Sequence, residues 1–166
     1  LHNLEWAAMI FSSPDPAADP YVALALLELQ RASYAVEAEL IGDDRIPPLR
    51  QNEVDLTSFR GHWLLAWNGV DLVGAAAWVE RESGVEIDKV MVRPTAHRQG
   101  VGSQLLALVI EAAADRQIAV ATGRDNAPAR ALYGKYGFAD VRDERVPPGI
   151  WITRLQRASV LLEPDC

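Results

Sequence analysis

The chain has 166 residues, the size of one domain, with 49% hydrophobic and 23% charged side chains and no run near the roughly 20 apolar residues that a membrane span needs. Sixteen basic against 23 acidic residues give a formal charge of −7, and no basic patch stands out that would neutralise phosphates, so nucleic-acid and membrane partners are not expected. The single cysteine, Cys166, is terminal, which excludes an intrachain disulfide and suits a reducing, cytoplasmic compartment. The N-terminus, beginning at Leu1, lacks the basic and apolar regions of a secretory signal.

In chain order, Leu4 to Phe11 reads as a strand, stopped by Ser12-Ser13-Pro14-Asp15-Pro16. Asp19 and Pro20 are suited to an N-cap and a first helical position, so one long helix or two short ones run from there to about Gly42. Ile46-Pro47-Pro48-Leu49 cannot continue a helix, and a long loop to about Gly61 is expected. His62 to Trp67 and Val70 to Glu80 flank Asn68-Gly69, a type I′ hairpin signal; Ser83-Gly84 turns the chain into a third strand, Val85 to Val92. Ser103 to Arg116 carries an amphipathic helical pattern. Then come a short strand at Ile118 to Thr122, a helix from Ala127 to Tyr136 ended by Gly137, and strands near Phe138 to Asp143 and Gly149 to Leu155. Hairpin links dominate, so the expected class is α+β, often filed as α/β: a mixed, mostly antiparallel sheet of six or seven strands flanked by helices in one domain, its firmest part 62–155.

The stretch Val90 to Ser103 passes from strand to proline, basic residues, paired glycines and helix, which is the composition of an anion cradle. Glycine lets the backbone approach a phosphate, and the first turn of the helix offers unpaired N–H groups and a positive dipole end. A P-loop would need Gly-Lys-Ser/Thr, and a dinucleotide fingerprint would need glycine where Leu105 stands; neither is present.

His97-Arg98-Gln99-Gly100-Val101-Gly102 resembles the Arg/Gln-x-x-Gly-x-Gly/Ala hallmark of the GNAT superfamily, with His97 departing at the first position. Asn126-Ala127-Pro128-Ala129-Arg130-Ala131-Leu132-Tyr133-Gly134-Lys135-Tyr136-Gly137-Phe138 is similar to the family's second motif, Asn-x-x-Ala-x-x-Leu-Tyr-x-x-x-Gly-Phe. The resemblance implies transfer of an acetyl or other short acyl group from acyl-CoA to a primary amine of a small molecule or protein, in a ternary complex, with a homodimer as a frequent assembly. It implies acetyl-CoA as cosubstrate, with its pyrophosphate on the main chain of Arg98, Gln99, Gly100, Val101, Gly102 and Ser103. Asn126 would lie beside the cofactor. Val90, Met91 or Val92 would donate a main-chain N–H to the thioester carbonyl. A noncatalytic acyl-CoA-binding module is the alternative.

A tyrosine at the position of Tyr133 is implied as the acid that protonates the departing thiolate. A lysine-like amine has a pKa near 10.4, so its neutral form costs about 4 to 5 kcal/mol at pH 7 and a base is expected. Glu86, eleven residues before His97, is the first candidate by resemblance and Asp88 the second; strand alternation would put both on one face. Glu86 also reads as a surface residue pairing with Arg81. Tyr34 and Glu37, one helical turn apart, are candidates for positioning the amine, and Trp63, Trp67 and Trp78 are candidates for lining its cleft. His2 and His62 lack neighbours at metal-ligand spacing, so no metal is expected.

Overall fold

The computed structural model describes residues 9–160, so Leu4 to Ala8 of the expected first strand, His2 and Cys166 lie outside the described residues. Seven strands form one sheet in the order β1-β2-β3-β4-β5-β7-β6, where β1 is Met9–Ser12, β2 His62–Asn68, β3 Asp71–Arg81, β4 Gly84–Val92, β5 Ile118–Gly123, β6 Ala139–Val146 and β7 Ile150–Arg157. All neighbours are antiparallel except β4 and β5. The expected class and strand number hold, with seven strands at the upper bound.

Helix α1 (Pro20–Ile41) is a single helix of 22 residues. The Asp19 carboxylate accepts from the Tyr21 N–H, Pro20 fills the first position, and Gly42 closes the helix in the left-handed conformation. Its buried Val22, Leu26 and Leu29 pack with Leu65, Ala75, Ala77 and Met91 on one face of the sheet. Helix α3 (Val101–Ala113) covers the other face, where Leu105, Leu106 and Val109 meet Ala76, Val85, Ile87 and Ile118. Gly74 is required by this packing: a Cβ there would stand 2.6 Å from Val101 Cγ1 and 2.9 Å from Leu105 Cδ1.

The expected loop before Gly61 contains a 3-10 turn at Pro47–Arg50 and a short helix α2 (Glu53–Thr57). Asn52 and Asp55 form a capping box, each side chain accepting from the other's main-chain N–H. Five residues are too few to show a helical period. The first hairpin turns one residue later than expected, because Asn68 pairs with Asp71 and the loop is Gly69-Val70.

Two features of β4 build the site. Its ladder to β5 holds only at Val85–Ile118 and Glu86–Ala119, after which the strands part. The β4 edge facing β5 therefore leaves its ladder beyond Glu86. Asp88 is an extra residue: Ala77 pairs with Lys89 and Trp78 with Ile87, so β4 bulges between them. The bulge reverses the alternation, placing Ile87 in the α3 core but Met91 in the α1 core. The strictly alternating strand expected from the sequence is broken there.

Candidate active site

A cleft occupies the gap between β4 and β5, closed on one side by the C-terminal half of α1 and on the other by helix α4 (Ala127–Lys135). Its two compartments share Tyr34, Glu37, Val90, Asn126, Ala129 and Tyr133.

The first compartment runs to the N-terminus of α3. Among the described residues, none of the main-chain N–H groups from Arg98 to Ser103 donates to a protein acceptor; the first helical bond into this turn is Gln104 N–H to Gly100 C=O, 3.0 Å. Gly100 stands at the N-cap with φ 74°, and Arg98 is left-handed at φ 64°, a conformation costing of order 1–2 kcal/mol for a residue with a Cβ. Arg98 and Lys135 bring positive charge to the lining, on a chain whose net charge is −7. Open N–H groups, a helix dipole and two cations are the complement that a polyanion requires.

Val90 and Val92 line the wall that leads inward, whereas the Met91 side chain is fully buried under α1. Of the residues expected around the cofactor, Arg98, Gly100, Val101, Gly102, Ser103 and Asn126 line this compartment. Gln99 does not: it lines a separate depression beside Arg93, and its Nε2 donates to the Thr95 carbonyl at 3.4 Å. Asn126 Oδ1 caps α4 by accepting from Ala129 N–H at 3.2 Å, leaving its amide donors free of protein acceptors among the described residues.

Tyr133 stands where the compartments join. Its ring is 5% exposed and packs edge-on against Phe138 at 5.4 Å, and its hydroxyl makes no hydrogen bond to any described residue. Burial, aided by the Glu37 carboxylate, raises the phenol well above its ordinary pKa, so it is a protonated donor at neutral pH. Tyr34 is raised for the same reason first, and then by the charges of Glu37 and Asp88. Glu37 is anchored from β5, accepting from Gly123 N–H at 3.0 Å and Thr122 Oγ1 at 3.3 Å.

The two carboxylates of β4 have different surroundings. Glu86 is half-exposed, takes a hydrogen bond from Arg81 Nε at 3.2 Å and lines neither compartment. Asp88, at the bulge, is nearly as exposed, at 45%, but lines the second compartment, where partial desolvation raises its pKa above the ordinary carboxylate value. The tryptophans serve packing: Trp63 and Trp78 are buried on opposite faces of the sheet, Trp67 donates to Ser12 Oγ at 3.0 Å, and none lines the cleft.

Sequence reasoning missed Lys89. It is 6% exposed, donates to Gln30 Oε1 at 2.7 Å and Gln51 Oε1 at 2.6 Å, and lies 3.9 Å from Asp88. Gln30 in turn donates to Gln51 and to the Pro48 carbonyl, so α1, the following loop and the bulge are tied together. A lysine inside a strand of buried apolar residues was the available signal. Burial lowers its pKa, opposed by Asp88.

A model of the acetyltransferase (GNAT) family matches residues 23–138, more than two-thirds of the chain. The chain belongs to this family. The structure superimposes on the ribosomal-protein-S18-alanine N-acetyltransferase of Escherichia coli with a TM-score of 0.72 at 16% identity, covering 95% of this chain and 98% of that one. It also resembles the PaiA N-acetyltransferase of Thermoplasma acidophilum, solved in complex with coenzyme A, with a TM-score of 0.66 at 14% identity, covering 88% and 97%. At these identities the likeness shows the shared GNAT fold. A curated relative, the UPF0157 protein YqkA of Bacillus subtilis (strain 168), is 28% identical over 133 residues, which are 80% of this chain but 39% of that protein. The GNAT chain thus spans about two-fifths of the length of this relative. Among the described residues, no helix is long and apolar enough to cross a membrane.

Proposed function

We propose that the cleft binds acetyl-CoA, or another short acyl-CoA, in its first compartment and an amine in its second, and that the acyl group passes directly between them at Tyr133. The observation that carries this reading is the junction itself: a buried, unpaired phenol where a compartment with an anion cradle meets a compartment with carboxylates. The residues suit the cosubstrate. The unpaired N–H groups of the five lining residues Arg98, Gly100, Val101, Gly102 and Ser103, with the Arg98 and Lys135 charges, match a diphosphate, and the parted strands leave room for a narrow pantetheine arm.

Bound acyl-CoA supplies the thioester: the amine nitrogen forms a bond to its carbonyl carbon, the C–S bond breaks, the nitrogen gives up a proton and the sulfur gains one. On the β5-facing edge of β4, the main-chain N–H of Val90 or Val92 stabilises the carbonyl oxygen as it gains charge; that of Met91 faces β3, in phase with the Arg93 N–H that donates to Val73. Glu37 and Asp88 draw the ammonium form to the junction. Asp88, directly or through water, takes the proton that makes nitrogen nucleophilic, and the Tyr133 hydroxyl donates to the departing sulfur. Glu86, paired with Arg81 outside the cleft, is left to the surface.

Thiol release from acetyl-CoA across a panel of amines tests this. Asp88→Asn is expected to lower kcat/KM by roughly 10²-fold or more, whereas Glu86→Gln stays within about twofold. A base works ionised, so wild-type activity climbs as pH rises through the Asp88 pKa, which partial desolvation has moved upward; Asp88→Asn removes that limb. Loss of activity in Glu86→Gln with Asp88→Asn intact would reassign the base. Coenzyme A binding without thiol release on any amine would favour a noncatalytic acyl-CoA-binding module.

A further inference from the structure

The second compartment has a wall that the chemistry above does not use. Ile41 and Ile46, from the end of α1 and the loop after it, face Val146, Ile150 and Ile152 of the β6–β7 hairpin, and none of them lines the first compartment. Ile46 and Ile150, each 6% exposed, belong to one apolar cluster with Ala38, against which Ile41, Val146 and Ile152 pack. Two segments distant in sequence thus join to form an aliphatic enclosure.

The charges lining this compartment are the carboxylates of Glu37 and Asp88 and the ammonium of Lys89, which leave one net negative charge. Lys89 is fixed by Gln30 and Gln51 and cannot swing aside without leaving the buried Gln30 Oε1 unpaired, while Gln51 Oε1 keeps only the Gln30 amide. One ammonium therefore balances the site. A second cationic group on the same molecule would meet either Lys89 or the aliphatic wall, and a charge placed against apolar side chains is strongly disfavoured.

We propose that the acceptor is a primary amine bearing a single positive charge on an apolar alkyl or aryl body, and that polyamines are rejected. The inference rests on the second compartment being the acceptor site. It extends that reading by assigning specificity to Lys89 and the Ile/Val wall.

The test combines calorimetry in the presence of coenzyme A with thiol release from acetyl-CoA, comparing 3-methylbutylamine and 2-phenylethylamine with putrescine and spermidine. The apolar monoamines are expected to bind at least about tenfold more tightly, the discrimination that a few buried methylenes provide. Ile152→Asp, at a half-buried position, should bring the two classes together or reverse their order. Putrescine or spermidine binding as tightly as the monoamines, or no binding by either class, would overturn the proposal. Monoamine-selective binding without thiol release would uphold it while sinking acyl transfer; turnover that prefers polyamines would do the opposite.

Discussion

Replacing Tyr133 with Phe is expected to lower kcat by roughly 10²- to 10³-fold, the range for losing one donor to a developing charge, while the KM for acyl-CoA changes little. The asymmetry follows from how the side chain is held. Its ring is buried against Phe138, and these contacts survive in phenylalanine. Its hydroxyl has no partner among the described residues, so its removal leaves no buried group unsatisfied and stability should be nearly unchanged. A thiol has a pKa near 8.5, below that of the raised phenol, so Tyr133 acts chiefly by directing an O–H at the sulfur as charge develops there. Steady-state kinetics with a thiol reagent read the effect, and a kcat within about twofold of wild type would remove Tyr133 from the chemistry.

Gly100→Asp is expected to raise the dissociation constant for coenzyme A by about ten- to a hundredfold. A carboxylate roughly 5 to 6 Å from a diphosphate at an effective dielectric between protein surface and water adds about 1 to 3 kcal/mol of repulsion. The left-handed backbone at Gly100, φ 74°, adds a smaller strain for any residue with a Cβ. Gly100→Asn separates the two causes, since asparagine tolerates this conformation and carries no charge; it should remain within about threefold of wild type. Salt should narrow the difference between the two variants, because screening weakens repulsion and leaves backbone strain alone. Isothermal titration provides both constants, and equal affinity for Asp and Asn variants would place the diphosphate elsewhere.

The features that were legible in the sequence are those that local chemistry dictates. Asp19-Pro20 and Gly42 bound α1 because a cap and a left-handed terminus depend on one residue each. Asn126 opens α4 by the same logic, and the turn around Gly69 is set by a few adjacent positions. The loop from Arg98 to Gly102 reads as a candidate anion cradle because backbone access needs glycine whatever surrounds it, and its N–H groups do stand free of protein acceptors among the described residues. The departures arose where distant segments decide. The bulge at Asp88 follows from pairing with β3, so strand alternation alone could not show that Asp88 would line the cleft while Glu86 met Arg81. Lys89 finds its partners 59 and 38 residues away, in Gln30 and Gln51. Glu37 could be read as facing the amine, but its anchoring by Gly123 and Thr122 exists only once α1 lies across β5.

Acyl transfer at Tyr133 makes one demand of the backbone: the amides of residues 98–103 must be the groups that meet the diphosphate. Titrating the isotopically labelled protein with coenzyme A and following its amide resonances addresses them individually. The largest shifts are expected from Arg98 to Ser103, with a second set at Val90 to Val92. Saturable binding that leaves the 98–103 amides unmoved would contradict the account.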